Sequence, residues 1–213
     1  MIIPAILVKT FADFEQQAKK LSFAPLIQID VMDGEFVPNK SFDEIEKIKE
    51  LNLNNEWELH LMVNHPERII EQWKALPKCK RIIWHVEAEV DHLSLIEKCR
   101  EMGKEVGLAI SPKTTLMELA AYLDRIETVL VMGVEPGSSG QSLLPETVVR
   151  LKKIHEMNPD LPIEVDGGVN EKNLLVLAKA GATRFAMNSA VYHHPFPRDF
   201  VRGQLQRLER LIQ

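Results

Sequence analysis

Four short apolar runs carry polar side chains at alternate positions, and those side chains include acids and imidazoles suited to proton transfer or metal binding. In Gln28-Ile29-Asp30-Val31-Met32, an extended backbone with a period of two puts Gln28, Asp30 and Met32 on one face. The same period groups Glu58, His60 and Met62, then His85 with Glu87, then Glu164 with Asp166 immediately before Gly167-Gly168. Taken singly, each has a plain structural reading. An Asp at a strand end can serve as a cap, His60 and His85 can be hydrogen-bonded core residues, and Met32, Met62 and Met132 can be packing. Taken together they are costly to bury unless paired or metal-bound, which favours a site. Asp30 and Asp166 would address opposite faces of one substrate as an acid and a base if their strands faced each other.

The elements that must position these residues alternate along the chain. Strands are predicted at Ile2–Val8, Leu26–Met32, Glu58–Val63, Arg81–Val86, Glu105–Ile110, Thr128–Val134, Pro162–Asp166 and Arg184–Asn188, with amphipathic segments between them. In FDEIEKIKEL, Phe42, Ile45, Ile48 and Leu51 make one apolar stripe, and TTLMELAAYLDRI reads as another helix. Ser41, Ser94, Thr114 and Asn170 stand where N-caps belong, and Gly103 and Gly181 where helices close. Strand-helix units repeated eight times imply a parallel sheet with right-handed crossovers. Units this regular close more naturally into a barrel than into an open sheet. The expected architecture is therefore a single-domain α/β protein, a (β/α)8 TIM barrel over residues 1–213, with chemistry at the C-terminal strand ends.

Bulk properties exclude several classes. The chain is 45% hydrophobic and 27% charged with net charge −5, and the charges are mixed, so no basic face for nucleic acid is expected. No apolar run approaches ~20 residues, so no membrane span is expected. The N-terminal run is broken by Pro4 and reads as a first strand rather than a signal peptide. Only two cysteines, Cys79 and Cys99, point to a reducing compartment, and a cytoplasmic location is expected.

The blocks IDVMDGEFVPN, LHLMV, WHVEAE, VGLAISPKT, VMGVEPGSSGQS and IEVDGGVN, in this order, resemble the ribulose-phosphate 3-epimerase family, and the match runs from PAIL to NSAVY. The resemblance implies a metal-assisted epimerase of the ribulose 5-phosphate to xylulose 5-phosphate type, acting on a small phosphorylated ketose as a homo-oligomer. It implies Asp30 and Asp166 as the proton-transferring pair and Asp30, His60 and Asp166 as ligands of a divalent metal such as Zn, Fe(II), Mn or Co. It also implies Met32, Met62 and Met132 around the reacting carbon. The phosphate is expected on Gly137, Gly140, Gly167, Gly168, Asn188 and Ser189, where loop amides and a helix start favour an anion.

The family's glycine-rich phosphate loop appears here as Gly137-Ser138-Ser139-Gly140, and three further positions depart from the family pattern. Gln28 replaces a metal-binding His, Ala5 replaces a Ser, and Asn188 replaces a Gly. An amide oxygen binds borderline ions less well than imidazole, so the metal is expected to be weakly held or absent. Three ligands still make a workable catalytic site. The alternatives left by these changes are an epimerase of another keto-sugar phosphate, such as a hexulose phosphate, and a non-catalytic sugar-phosphate-binding homologue with an impaired metal site.

Overall fold

The computed structural model describes residues 1–42, 44–192 and 197–212. Eight strands alternate with helices: β1 (Ile2–Ile6), β2 (Leu26–Met32), β3 (Glu56–Met62), β4 (Cys79–His85), β5 (Glu105–Ile110), β6 (Thr128–Met132), β7 (Ile163–Asp166) and β8 (Ala182–Met187). They pair in sequence order, all parallel, and β8 closes on β1. The TIM barrel expected from the alternation is the observed architecture.

Burial on both sides explains why the strands read as nearly continuous apolar runs. On β2 all seven residues are buried. Ile27, Ile29 and Val31 join the layer between sheet and helices, together with Leu59, Leu61, Trp84 and Val165. The alternate residues turn inward, and register carries them around the barrel: Asp30 pairs with His60, His85 with Ala109, and Met132 with Asp166. Ile83, Ala109, Leu130 and Met132 form a separate apolar patch of that interior.

The helices that hold the barrel are α1 (Phe11–Lys20), α2 (Ile45–Glu50), α3 (Pro66–Trp73), α4 (His92–Glu101), α5 (Met117–Ala120), α6 (Thr147–Met157), α7 (Glu171–Lys179), α8 (Ser189–Tyr192) and α9 (Arg198–Arg210). Phe14 and Ala18, one turn apart on α1, bury the face that packs on the sheet. Asn170 caps α7 as expected, through a capping box with Asn173. Gly103 and Gly181 follow α4 and α7 with φ of +70° and +107°, the left-handed geometry of a helix end.

Three expected caps are corrected. Asp91 rather than Ser94 caps α4, because its carboxylate is the stronger acceptor for Ser94 N at 3.2 Å. The Ser41 hydroxyl instead accepts from Met32 N at 2.9 Å, tying down the end of β2. Thr114 caps no helix: its side chain bonds Glu87. The long helix read from TTLMELAAYLDRI is likewise two short pieces, α5 and a 3₁₀ turn at Leu123–Arg125. Leu119, Leu123 and Ile126 are still buried, so the apolar spacing set the buried face without securing a continuous ladder.

Candidate active site

The ends of β2, β3 and β7 bring Asp30, His60 and Asp166 together at the mouth of the barrel. One ligand atom from each lies within 4.8 Å of the others. His60 Nδ1 is 3.1 Å from Asp30 Oδ1 and 3.1 Å from Asp166 Oδ2. Gln28 Nε2 donates to the same two oxygens, at 2.7 Å each. An imidazole and a carboxamide thus both bridge the acid pair.

Burial sets the electrostatics. Desolvation, with the neighbouring Asp166 charge second, pushes the Asp30 carboxyl up to about 6. Burial of His60 favours its neutral form, but hydrogen bonds to Asp166 and Asp30 outweigh that and raise it to about 10. Below this cluster lies a second charged layer. Arg81 pairs with fully buried Glu58 and reaches Glu105 Oε2 from Nε at 3.0 Å. Burial and then the adjacent Glu58 charge hold the Glu164 carboxyl well above its ordinary value.

The donor set suits a divalent cation: two carboxylates and an imidazole nitrogen converge, and three protein ligands suffice for a catalytic site. Gln28 supplies the telling observation. Its Oε1 is buried without a hydrogen-bond partner among the described residues, while its Nε2 takes the place beside the carboxylates. Turning the carboxamide over would present that oxygen to the same point, which is favourable only with a positive charge there. The residues therefore fit a metal, with Gln28 as the component that must change state to accept one.

A cleft opens beside the cluster. Asp30, Met62, Met132 and Asp166 line one side, and Gly137, Gly140, Gly167, Gly168, Asn188 and Ser189 the other. His60 and Gln28 are fully buried beneath it. Met32 stands back from this cleft and packs against Val37 and Met62. Ala5 pairs in register with Gln28, so the missing hydroxyl would have sat next to the carboxamide.

Leu7, Val134 and Gln141 also line the cleft and were not anticipated. Gln141 braces the loop by donating to Glu135 O at 2.8 Å and Ser138 O at 2.9 Å. Its place inside VMGVEPGSSGQS was the available signal. The loop after β2 is braced as well: Asp33 accepts from Glu35 N, Phe36 N and Asn64 N, and Asn39 Nδ2 donates to Gly137 O at 2.9 Å.

The model of the ribulose-phosphate 3-epimerase family matches residues 1–192. A ribulose-phosphate 3-epimerase from Schizosaccharomyces pombe is 34% identical over 208 residues, covering 95% of this chain and 91% of the relative. One from Escherichia coli K12 is 33% identical over 203 residues, covering 92% and 90%. Among solved structures, 3-hexulose-6-phosphate synthase from Salmonella typhimurium aligns with a TM-score of 0.70 at 16% identity over 100% of this chain and 99% of that one, a likeness of fold. Among the described residues no helix is long and apolar enough to cross a membrane.

Proposed function

The chain belongs to the ribulose-phosphate 3-epimerase family, and from that premise we propose that it epimerises a small phosphorylated ketose, of the ribulose 5-phosphate type, at the carbon beside the carbonyl. The observation that carries this reading is the convergence of Asp30 and Asp166 on one cleft, bridged by His60 and Gln28.

In this mechanism one ionised carboxylate takes the proton from the carbon beside the ketone; the freed C–H pair forms a carbon–carbon double bond, and the carbonyl π pair moves onto the oxygen to give an enediolate. The other Asp, protonated at the outset, returns a proton to the opposite face and inverts that carbon. Each turnover exchanges the protonation of the pair. The raised Asp30 carboxyl, at about 6, suits a group that must both hold and release a proton near neutrality. His60 and Gln28 fix the two carboxylates relative to the substrate. A divalent cation held by Asp30, His60, Asp166 and the turned Gln28 oxygen would supply positive charge to the developing enediolate. Met62 and Met132 line the cleft and would exclude water from the reacting carbon. The phosphate would lie on the amides of Gly167 and Gly168 and the Ser189 hydroxyl, with Gly137 and Gly140 closing over it.

A second reading is an epimerase of a longer ketose phosphate. Asn188 and the Ser138-Ser139 pair set the size and polarity of the cleft wall, and Ala5 stands beside Gln28 beneath it, which favours this reading. Solvent-deuterium exchange on a panel of pentulose and hexulose phosphates, with and without added divalent metal, separates the two. Exchange fastest with the pentulose supports the first, exchange confined to hexuloses supports the second, and no exchange with any ketose phosphate rejects both.

A further inference from the structure

A chain of hydrogen bonds leads away from the acid pair into the wall of the barrel. His60 Nε2 is 3.1 Å from His85 Nε2, and His85 Nδ1 is 3.1 Å from Glu87 Oε2. The other Glu87 oxygen accepts from Ser111 N at 2.8 Å, and the Thr114 side chain bonds the same carboxylate. Ser111 Oγ stands 3.3 Å from His85 Nδ1. Arg150, from α6, pins the loop carrying these groups by donating to Thr114 O at 2.8 Å and Ser111 O at 3.1 Å. The Phe36 ring packs on His85 with centroids 4.7 Å apart.

The direction of each bond follows from which groups can donate. Desolvation opposes ionisation of Glu87, but its bonds to His85, Thr114 and Ser111 win and hold it down at about 2, so it is a carboxylate and only accepts. His85 Nδ1 must then carry a proton. A neutral imidazole carries a single proton, so with that proton on Nδ1 the His85 Nε2 is a bare lone pair. Two lone pairs cannot face each other at 3.1 Å, and His60 Nε2 must therefore be the donor.

We propose that Glu87 is a positioning residue: through His85 it fixes a proton on His60 Nε2, which leaves Nδ1 as the atom offered to Asp30, Asp166 and any cation between them. This rests on the epimerase reading for its purpose and on the donors and acceptors along the Glu87–His85–His60 chain for its content. Glu87→Gln reverses the chain while keeping its shape. Ser111 N–H requires the new amide oxygen, so the amide NH2 faces His85 Nδ1 and demands a lone pair there. The His85 proton moves to Nε2, and His60 must turn its own lone pair toward it. Nδ1 then keeps a proton and is lost as a ligand.

The experiment uses the full-length, metal-free protein labelled with 15N-histidine, read by long-range proton–nitrogen correlation. Wild-type His85 is expected to be neutral with its proton on Nδ1, and in Glu87→Gln the proton is expected on Nε2. Cobalt(II) affinity, followed by visible absorption, should fall roughly 10–100-fold in the variant, and kcat should fall with KM nearly unchanged. A wild-type His85 protonated on Nε2 would overturn the proposal whether or not the variant folds. So would a folded variant with the wild-type tautomer and unchanged cobalt affinity. A wild type that turns over no ketose phosphate counts against the epimerase reading, while the tautomer spectrum still decides this one.

Discussion

Gln28 on β2 donates a 2.7 Å hydrogen bond to Asp166 on β7, joining residues 138 apart in sequence across the mouth of the barrel. A carboxamide nitrogen here stabilises two close carboxylates without a metal, and a cation entering the site must displace it. The wild type is therefore expected to retain divalent metal substoichiometrically when purified without chelators. Gln28→His should raise both metal content and turnover. Elemental analysis of the two proteins side by side checks this, and full occupancy in the wild type that the substitution leaves unchanged would contradict it.

Gly168 adopts φ +71°, and a Cβ there would meet Leu143 N at 2.5 Å and Leu143 Cα at 2.6 Å, both backbone atoms with little room to yield. Gly168→Ala should cost about 1–3 kcal/mol and raise KM for the phosphorylated substrate more than it changes kcat. Urea unfolding and steady-state kinetics measure the two effects. An unchanged KM would remove Gly168 from the phosphate site.

Arg81 lies between Glu58, Glu105 and Glu164 in the barrel interior. Arg81→Met leaves Glu58 buried without its counter-charge, and a loss of roughly 3–5 kcal/mol is expected. Denaturant unfolding near neutral pH tests this. A change within about 0.5 kcal/mol, the range of ordinary surface substitutions, would show that the cluster neutralises itself without Arg81.

Burial pushes the Cys79 thiol up to about 11 and the Cys99 thiol up to about 12. The thiolate is the reactive form, so at pH 8 neither should react with an aromatic disulfide reagent in the folded protein. Both should react once denaturant unfolds the chain. Fast reaction of either thiol under native conditions would contradict their placement.

The barrel was legible because strands buried on both faces carry a strong signal. IIPAI, LIQIDVM and TVLVM fall where β1, β2 and β6 lie, with only their ends adjusted. Period two then placed Gln28, Asp30, His60 and Asp166 inward without any knowledge of contacts. Partners chosen by three-dimensional proximity were not legible. Thr114 looked like a cap, yet its side chain serves Glu87, and Ser41 serves the end of β2. His85 alone could be read as a core histidine, and only its 3.1 Å contacts on both ring nitrogens connect it to the site. Local pattern reports which face a residue occupies, and the hydrogen bonds depend on what the opposite strand brings there.

The central claim is that Asp30 and Asp166 carry the proton between the two faces of the substrate. The most direct measurement follows D-ribulose 5-phosphate in deuterated water with wild type, Asp30→Asn and Asp166→Asn, with folding checked by circular dichroism. The wild type should form xylulose 5-phosphate with deuterium on the inverted carbon, and each variant should lose on the order of 10²–10⁴-fold in rate while remaining folded. Turnover by Asp166→Asn at the wild-type rate would contradict the mechanism outright.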